Sequence, residues 1–339
     1  MPTLNQLSQV ETQRGRQLLA WMLRWSPLFR FLEERAAFVE SATSFDRYPD
    51  DGTGSLQSRG LGQGYTGSNE APSPRQEGKL GFVGDSVLID RSHVVDHQRG
   101  LRPIGTWFTP RFRNKAKGFV RRADKELLQS TGNKTGSERR IQGLLTILNG
   151  SNVAPWGTPM VIDAAAFVDT AVDHLDLTVE AHREAFMRGM EQILPNFEEP
   201  GLLMNRQLGS MLGTMARERK RFSTGYDTFG NRVEEVDATP IIRLNDGSIT
   251  NDEPDNASTP ANVTTSLLIA SAGEGMFNVR TNAGLEVTDE MDAVLDDVRS
   301  GKVEWELRAE NVIDDRYALW RVRNIKVPGG SEDFMADLF

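Results

Sequence analysis

The stretch Tyr48–Gly78 constrains this chain more than any other. It carries seven glycines (Gly52, Gly54, Gly60, Gly62, Gly64, Gly67, Gly78) and three prolines (Pro49, Pro72, Pro74). No helical periodicity survives so many breakers, and no apolar run is present to build a core strand. Structureless loops longer than about 15 residues are uncommon inside a compact domain. The flanks nevertheless read as strand. Ala37–Phe45 supplies Phe38, Val39 and Phe45; Lys79–Val95 supplies Leu80, Phe82, Val83, Val87, Leu88, Ile89, Val94 and Val95. The pattern predicts a chain that runs out, turns in a glycine-rich tip and runs back. At about 3.3 Å per residue, some fifteen residues each way reach roughly 50 Å. An arm that long cannot pack wholly on its own domain, so it is expected to lie on a neighbouring subunit. The alternative is a disordered linker between two domains, which composition alone favours.

Length sets the next bound: 339 residues make two domains the natural expectation. The net charge of −9 argues against a dedicated nucleic-acid binder, which needs a basic surplus, but allows a protein that encloses nucleic acid. With no cysteine, disulfides, thiolate metal sites and cysteine nucleophiles are excluded. Met1–Val10 is polar and does not read as a signal peptide. The longest apolar run, Leu18–Leu23, is closed by Arg24 and falls far short of the ~20 residues that span a bilayer, so no membrane partner is expected. Sequons begin at Asn133, Asn149, Asn256 and Asn262; without a secretory signal they read as chance.

Along the chain, Thr3–Leu23 predicts an amphipathic helix, with Leu4, Leu7, Val10, Leu18, Met22 and Trp25 at spacings of three and four and Pro27 as its stop. Its tryptophans, Trp21 and Trp25, need a surface to pack on, within the chain or on another subunit. A second helix is expected from Thr109 to about Ser130, with Pro110 in its first turn. Phe108, Phe112, Ala116, Phe119, Ala123 and Leu127 mark its buried face. Its other faces hold Arg111, Arg113, Lys115, Lys117, Arg121, Arg122 and Lys125. Seven basic residues on one helix of an acidic protein suit phosphate or an acidic partner, or form a solvated face. Ile141–Leu148 is a short apolar piece, and Val153–Pro159 reads as a crossing. Helices follow at Val179–Leu194, capped by Thr178, and Gln207–Phe222, with strands at Gly201–Asn205, Pro240–Leu244 and Thr264–Ala272. This alternation predicts an α/β layered domain over about 151–300. In Val303–Glu310, apolar Val303, Trp305, Leu307 and Ala309 alternate with charged residues, the mark of a strand with one buried face. Asp314-Asp315-Arg316 is expected to turn the chain into a returning partner, Tyr317–Val327, and the hairpin to pack on the first-half strand and helix.

Tests for chemistry return little. Gly62-Gln63-Gly64-Tyr65-Thr66-Gly67 matches the dinucleotide pattern GxGxxG, but Pro72 and Pro74 follow where a helix N-terminus is needed. His93 and His97 suit a metal site only on a helix, and their segment reads as strand. Asp246, Asp252, Glu253 and Asp255 lack EF-hand spacing. No catalytic constellation emerges; no enzyme activity, cofactor or metal is expected.

Several stretches, taken in order, are similar to one branch of the major capsid proteins of tailed bacteriophages, the Hong Kong ninety-seven-type fold. Gly64-Tyr65-Thr66 with Ser68 resembles the tip of that family's extended loop. Gly84-Asp85-Ser86-Val87-Leu88-Ile89-Asp90-Arg91 resembles its returning strand, and Met204-Asn205-Arg206 the strand–helix step of its axial domain. Phe229-Gly230-Asn231-Arg232-Val233, Pro240-Ile241-Ile242, Thr265-Ser266-Leu267, Gly273-Glu274-Gly275 and Val303-Glu304-Trp305 follow in the family's order. Each motif is short; their order across about residues 35–325 carries the resemblance.

The resemblance implies an α+β fold in these parts: an N-terminal arm (1–36), an extended loop (37–92), a peripheral domain with a spine helix (93–150), an axial domain (151–300), returning peripheral strands (301–330) and a tail (331–339). It implies a virion protein that self-assembles into hexamers and pentamers of an icosahedral shell around double-stranded DNA, built in the host bacterial cytoplasm. Assembly contacts are expected at the loop tip (Gly62, Gly64, Tyr65, Thr66) and the N-terminal arm (Trp21, Trp25), with Arg113, Lys117 and Arg121 on the basic face of the spine helix. A separate scaffolding protein, a portal and decoration proteins are the expected partners. No Lys–Asn pair can be matched to the crosslinks of some relatives. An encapsulin-like compartment shell, which shares the fold, is the alternative; an α/β enzyme using 151–300 is a third.

Overall fold

The computed structural model describes residues 13–47, 76–100, 104–132, 139–148, 160–168, 172–219, 221–245, 247–250, 253–254, 263–289 and 301–327. Their helices are α1 (Gln13–Trp25), α2 (Pro27–Glu34), α3 (Arg91–Gln98), α4 (Ile104–Gln129), α5 (Leu144–Ile147), α6 (Glu180–Ile193) and α7 (Arg206–Glu218). The strands are β1 (Phe38–Glu40), β2 (Ser44–Arg47), β3 (Gln76–Lys79), β4 (Gly81–Ile89), β5 (Val161–Asp163), β6 (Leu175–Asp176), β7 (Gly201–Met204), β8 (Phe222–Tyr226), β9 (Arg232–Val236), β10 (Thr239–Arg243), β11 (Glu253–Pro254), β12 (Val263–Ala270), β13 (Phe277–Asp289), β14 (Gly301–Ile313) and β15 (Leu319–Lys326). The class is α+β, as the sequence implies.

Among the described residues the strands form three sheets. A four-stranded sheet runs β1-β13-β14-β4, a nine-stranded one runs β5-β15-β12-β7-β10-β9-β8 with β6 and β11 attached, and β2 pairs with β3 alone. In the four-stranded sheet the period-two pattern of β14 works as expected. Val303, Trp305, Leu307 and Ala309 are all buried, and α4 covers them. Phe112 and Phe119 meet the Trp305 ring edge to face at 5.3 and 6.2 Å, a geometry in which positive ring edge meets negative ring face.

The central strands of the larger sheet are covered on both sides. Leu202, Met204, Leu267 and Ile269 pack with Phe186, Met190, Leu208, Leu212 and Met215 of α6 and α7. Leu203, Leu268 and Ala270 turn the other way, into the cluster that also holds α1, α2, α4 and the smaller sheet. Two-sided burial is why β7 and β12 read as continuous apolar runs rather than alternating ones.

Several expectations are corrected. Lys79–Val95 is not one strand: β4 ends at Ile89 and α3 begins at Arg91. Asp90 makes the switch, its carboxylate accepting from Ser92 N at 2.8 Å while its carbonyl accepts from His93 N and Val94 N; these contacts satisfy donors at a helix start that a strand would leave unmet. The long helix begins at Ile104, so Pro110 lies inside it; Phe108 stacks on Phe112 at 5.9 Å and carries the buried face a turn beyond the proline. Pro27 stops α1 and also opens α2, with Ser26 as N-cap accepting from Phe29 N at 2.9 Å. Thr178 does not cap α6; it donates to Asp176, and the N-cap position is Val179. The helix expected to reach Phe222 ends at Glu218, and Phe222 opens β8.

The largest correction concerns the expected terminal hairpin. β14 pairs with β4 and β13, whereas β15 pairs with β12, β5 and β6. The two strands part after Ile313 and β15 is covered on both faces: Val322 and Ile325 join the α6–α7 core while Leu319 joins the other. β13, which falls within 151–300, lies in the smaller sheet beside β1.

Trp305 is 1 % exposed and its Nε1 has no hydrogen-bond partner. Trp305→Ala is expected to cost about 3–5 kcal/mol of stability. Trp305→Phe should cost much less, since it keeps the ring contact and removes the unmet donor. Urea unfolding of both variants checks this.

Candidate assembly surfaces

Among the described residues no group of three or more histidine, aspartate or glutamate side chains could hold a metal. His93 does lie on a helix, contrary to expectation, but no such group forms around it. Glu253, from the acidic loop, is committed to Arg321 at 2.7 Å and to Ser266, which also bonds Arg321 Nε at 2.9 Å; Asp246, Asp252 and Asp255 lie outside the described residues. Among the described residues, no helix is long and apolar enough to cross a membrane.

The stems of the glycine-rich stretch pair with each other. β2 and β3 run antiparallel, Ser44 opposite Lys79 and Arg47 opposite Gln76. The ring of Phe45 packs against Gly78, where a Cβ would come within 2.4 Å of it. Arg280 of β13 covers the same ring at 5.5 Å and pairs with Asp314 at 3.3 Å. The base of the arm is thus clamped to the four-stranded sheet. Gly62, Gly64, Tyr65 and Thr66, at the expected tip, lie outside the described residues.

Trp21 and Trp25 pack within the chain. Their rings stack at 5.2 Å, Trp21 leans on Phe112 at 5.7 Å, and Lys117 sits over Trp25 at 5.3 Å. Both remain half-buried. Arg113, Lys117 and Arg121 are all exposed on α4. Lys115 is drawn to the sheet instead, pairing with Asp85 at 3.2 Å.

One centre carries no sequence signal of its own. Asp124 of α4 is 1 % exposed. Ser26 Oγ donates to its Oδ1, and Asn245 Nδ2 donates to its Oδ2 at 2.5 Å and to Trp25 O at 3.1 Å. The knot joins the α1–α2 junction, the long helix and the segment after β10. Burial pushes the Asp124 carboxyl up to about 7, against the lowering pull of Ser26 and Asn245. A second feature is the β8–β9 turn. The Asp227 carboxylate accepts from Phe229 N, Asn231 N and Arg30, while Glu34 accepts from Thr228 N at 2.6 Å. The turn is pinned to α2 and presents Tyr226 and Phe229, 79 % and 43 % exposed.

No protein-family model matches the chain, and no curated protein matches it by sequence. Solved structures do. The chain is similar to the SrpI encapsulin of Synechococcus elongatus, with 15% identity and a TM-score of 0.54 over 98% of this chain and 94% of that one. The chain has the Hong Kong ninety-seven-type capsid fold. Weaker likenesses include the capsid of a native GTA particle (16% identity, TM-score 0.47, 87% and 90% covered) and a virus-like particle from Pyrococcus furiosus (9% identity, TM-score 0.47, 91% and 96% covered).

The Asp124 knot makes stability depend on pH with a defined sign. The native carboxyl holds its proton up to about pH 7, whereas the unfolded one loses it near pH 4. The native state therefore binds more protons between these values, and stability falls as pH rises through that window, by at most about 1.4 kcal/mol per pH unit. Asp124→Asn is expected to remove this slope, measured as the difference in urea midpoint between pH 5 and pH 8.

Proposed function

We propose that this chain is the subunit of a closed icosahedral shell, the major capsid protein of a tailed-phage-type particle enclosing double-stranded DNA. The observation that carries the reading is whole-chain likeness to a shell protein, over 98% of this chain and 94% of the other. Copies would form hexamers and pentamers. The arm whose base is β2 and β3 would lie on the next subunit through Gly62, Gly64, Tyr65 and Thr66, and the outer faces of Trp21 and Trp25 would contact a neighbour. The chain would play this part as N-terminal arm, extended loop, peripheral and axial domains. Many weak contacts suffice, because closed symmetry multiplies them. The role is structural rather than enzymatic. A separate scaffolding protein would guide closure in the host bacterial cytoplasm, with a portal at one vertex and decoration proteins outside.

The DNA-enclosing form rests on the ordered motifs shared with tailed-phage capsid proteins. A compartment shell that encloses protein is the second reading, and the likeness to SrpI encapsulin favours it. Light scattering and negative-stain microscopy of the purified chain test the shared claim: capsomers or closed shells far above 37.8 kDa are expected. Deleting Gly52–Gln76 should leave a folded monomer that forms no shell. Nuclease-protected DNA in particles from an expressing cell separates the first reading from the second. A chain that stays monomeric at high concentration with candidate scaffold added would sink both.

A further inference from the structure

Charge in this chain is segregated to a degree that its fold does not require. α1 and α4 together hold ten basic and two acidic residues, a net +8, so the other 300 residues carry −17. One of the two acids, Asp124, is buried. From Thr109 to Lys125 eleven positions of α4 are exposed, and seven of them are basic and none acidic. Neighbouring like charges destabilise a helix, and the pairing of Lys115 with Asp85 and the seat of Lys117 over Trp25 offset only part of that repulsion. Arg113, Lys117, Arg121 and Lys125 recur every four residues and are exposed; at 1.5 Å rise per residue they mark a line about 18 Å long. Arg16 and Arg24 are exposed on α1, which lies against α4.

Gly118 adds an independent observation. It sits within this line, and a Cβ built on it would meet nothing within 4 Å. A glycine inside a helix costs stability relative to alanine, and no packing among the described residues accounts for it. Its effect is to let something outside come close to the helix backbone.

We infer that the exposed stripe Arg113–Lys117–Arg121–Lys125, with Gly118 at its centre, is a contact surface for the phosphate backbone of double-stranded nucleic acid, held without regard to sequence. The inference builds on the shell reading and places this face of α4 toward the enclosed duplex. Each strand of duplex DNA carries one phosphate per 3.4 Å of helix axis, so a line of four cations about 18 Å long has several phosphates of one strand within its length. The surrounding −17 keeps each contact weak, which suits a wall that must not trap the polymer. Side chains that recognise phosphate alone carry no sequence information.

The test uses the full chain and a fluorescent 30-base-pair duplex, read by anisotropy between 25 and 200 mM salt, with particle formation followed by light scattering on the same samples. Charge reversal at Arg113→Glu, Lys117→Glu and Arg121→Glu is expected to weaken binding at least tenfold at low salt and to lower the log–log salt slope by about 3, the share of three phosphates. The control is Arg91→Glu, Arg188→Glu and Arg232→Glu, three exposed arginines elsewhere whose reversal changes net charge equally; it should weaken binding far less. Gly118→Leu should weaken binding several-fold without lowering Tm. Equal loss in stripe and control variants overturns the inference, as does no duplex binding by the unassembled fraction of the unmodified chain, in which that face is open to added duplex. Binding of poly-glutamate in place of the duplex also overturns it, and assigns the stripe to an acidic protein. If the unmodified chain binds duplex through the stripe but forms no particle, the inference stands and the shell reading falls. Particles that form normally while the stripe variant binds duplex undiminished give the reverse result.

Discussion

The contact on which the rest of this structure depends is the edge-to-face closure of Phe112 and Phe119 on Trp305. It fixes the long helix across the four-stranded sheet, and with it the direction of every other face of that helix. Once the aromatic side is committed, Asp124 must face inward near the helix end. A buried carboxyl there is tolerable only if neutral or hydrogen-bonded, and Ser26 and Asn245 supply the bonds. The same geometry leaves the basic residues no inward position. The packing of the core and the charge of the surface are consequences of one registration.

The knot at Asp124 also explains how a segment near the start of the chain becomes part of the fold. α1 offers Leu18, Leu19 and Met22 to the core, and α2 stacks Phe29 on Phe38 at 6.2 Å. These apolar contacts are not directional. Ser26 is: it caps α2 and bonds Asp124 with the same hydroxyl, so the turn between the two helices has one position along α4. Asn245 ties that position to the larger sheet through the segment following β10. Three regions distant in sequence thus meet at one polar centre, where any mismatch would leave a buried group unpaired.

Mechanically, the fold combines a rigid body with clamped extensions. The arm base is held by Arg280 over Phe45, and the β8–β9 turn by Arg30 and Glu34. Both are surface features fixed by ionic and aromatic contacts to core elements, which lowers the ordering cost of whatever they meet. In the shell reading this matters, since each subunit must present the same surfaces to its neighbours many times.

Much of this was legible in the sequence where periodicity reports burial directly. The alternation in Val303–Glu310 placed Trp305 inward, the three- and four-residue spacing of Phe108 to Leu127 found the buried face of α4, and its basic remainder was already countable. The antiparallel stems around the glycine-rich stretch were expected from its flanks. What the sequence could not carry was the destination of segments whose pattern fits more than one partner. Leu319–Lys326 mixes apolar residues with Arg321, Arg323, Asn324 and Lys326 and reads equally as a hairpin return or as an interior strand; the place open beside β12 decided it. Asp124 looks like any charged residue of an exposed helix, because its burial and its bonds from Ser26 and Asn245 come from segments distant in the chain. Local periodicity is a property of neighbours in sequence and is written there; pairing, burial of a lone polar group and the meeting of distant segments depend on which surfaces remain uncovered once the chain has folded.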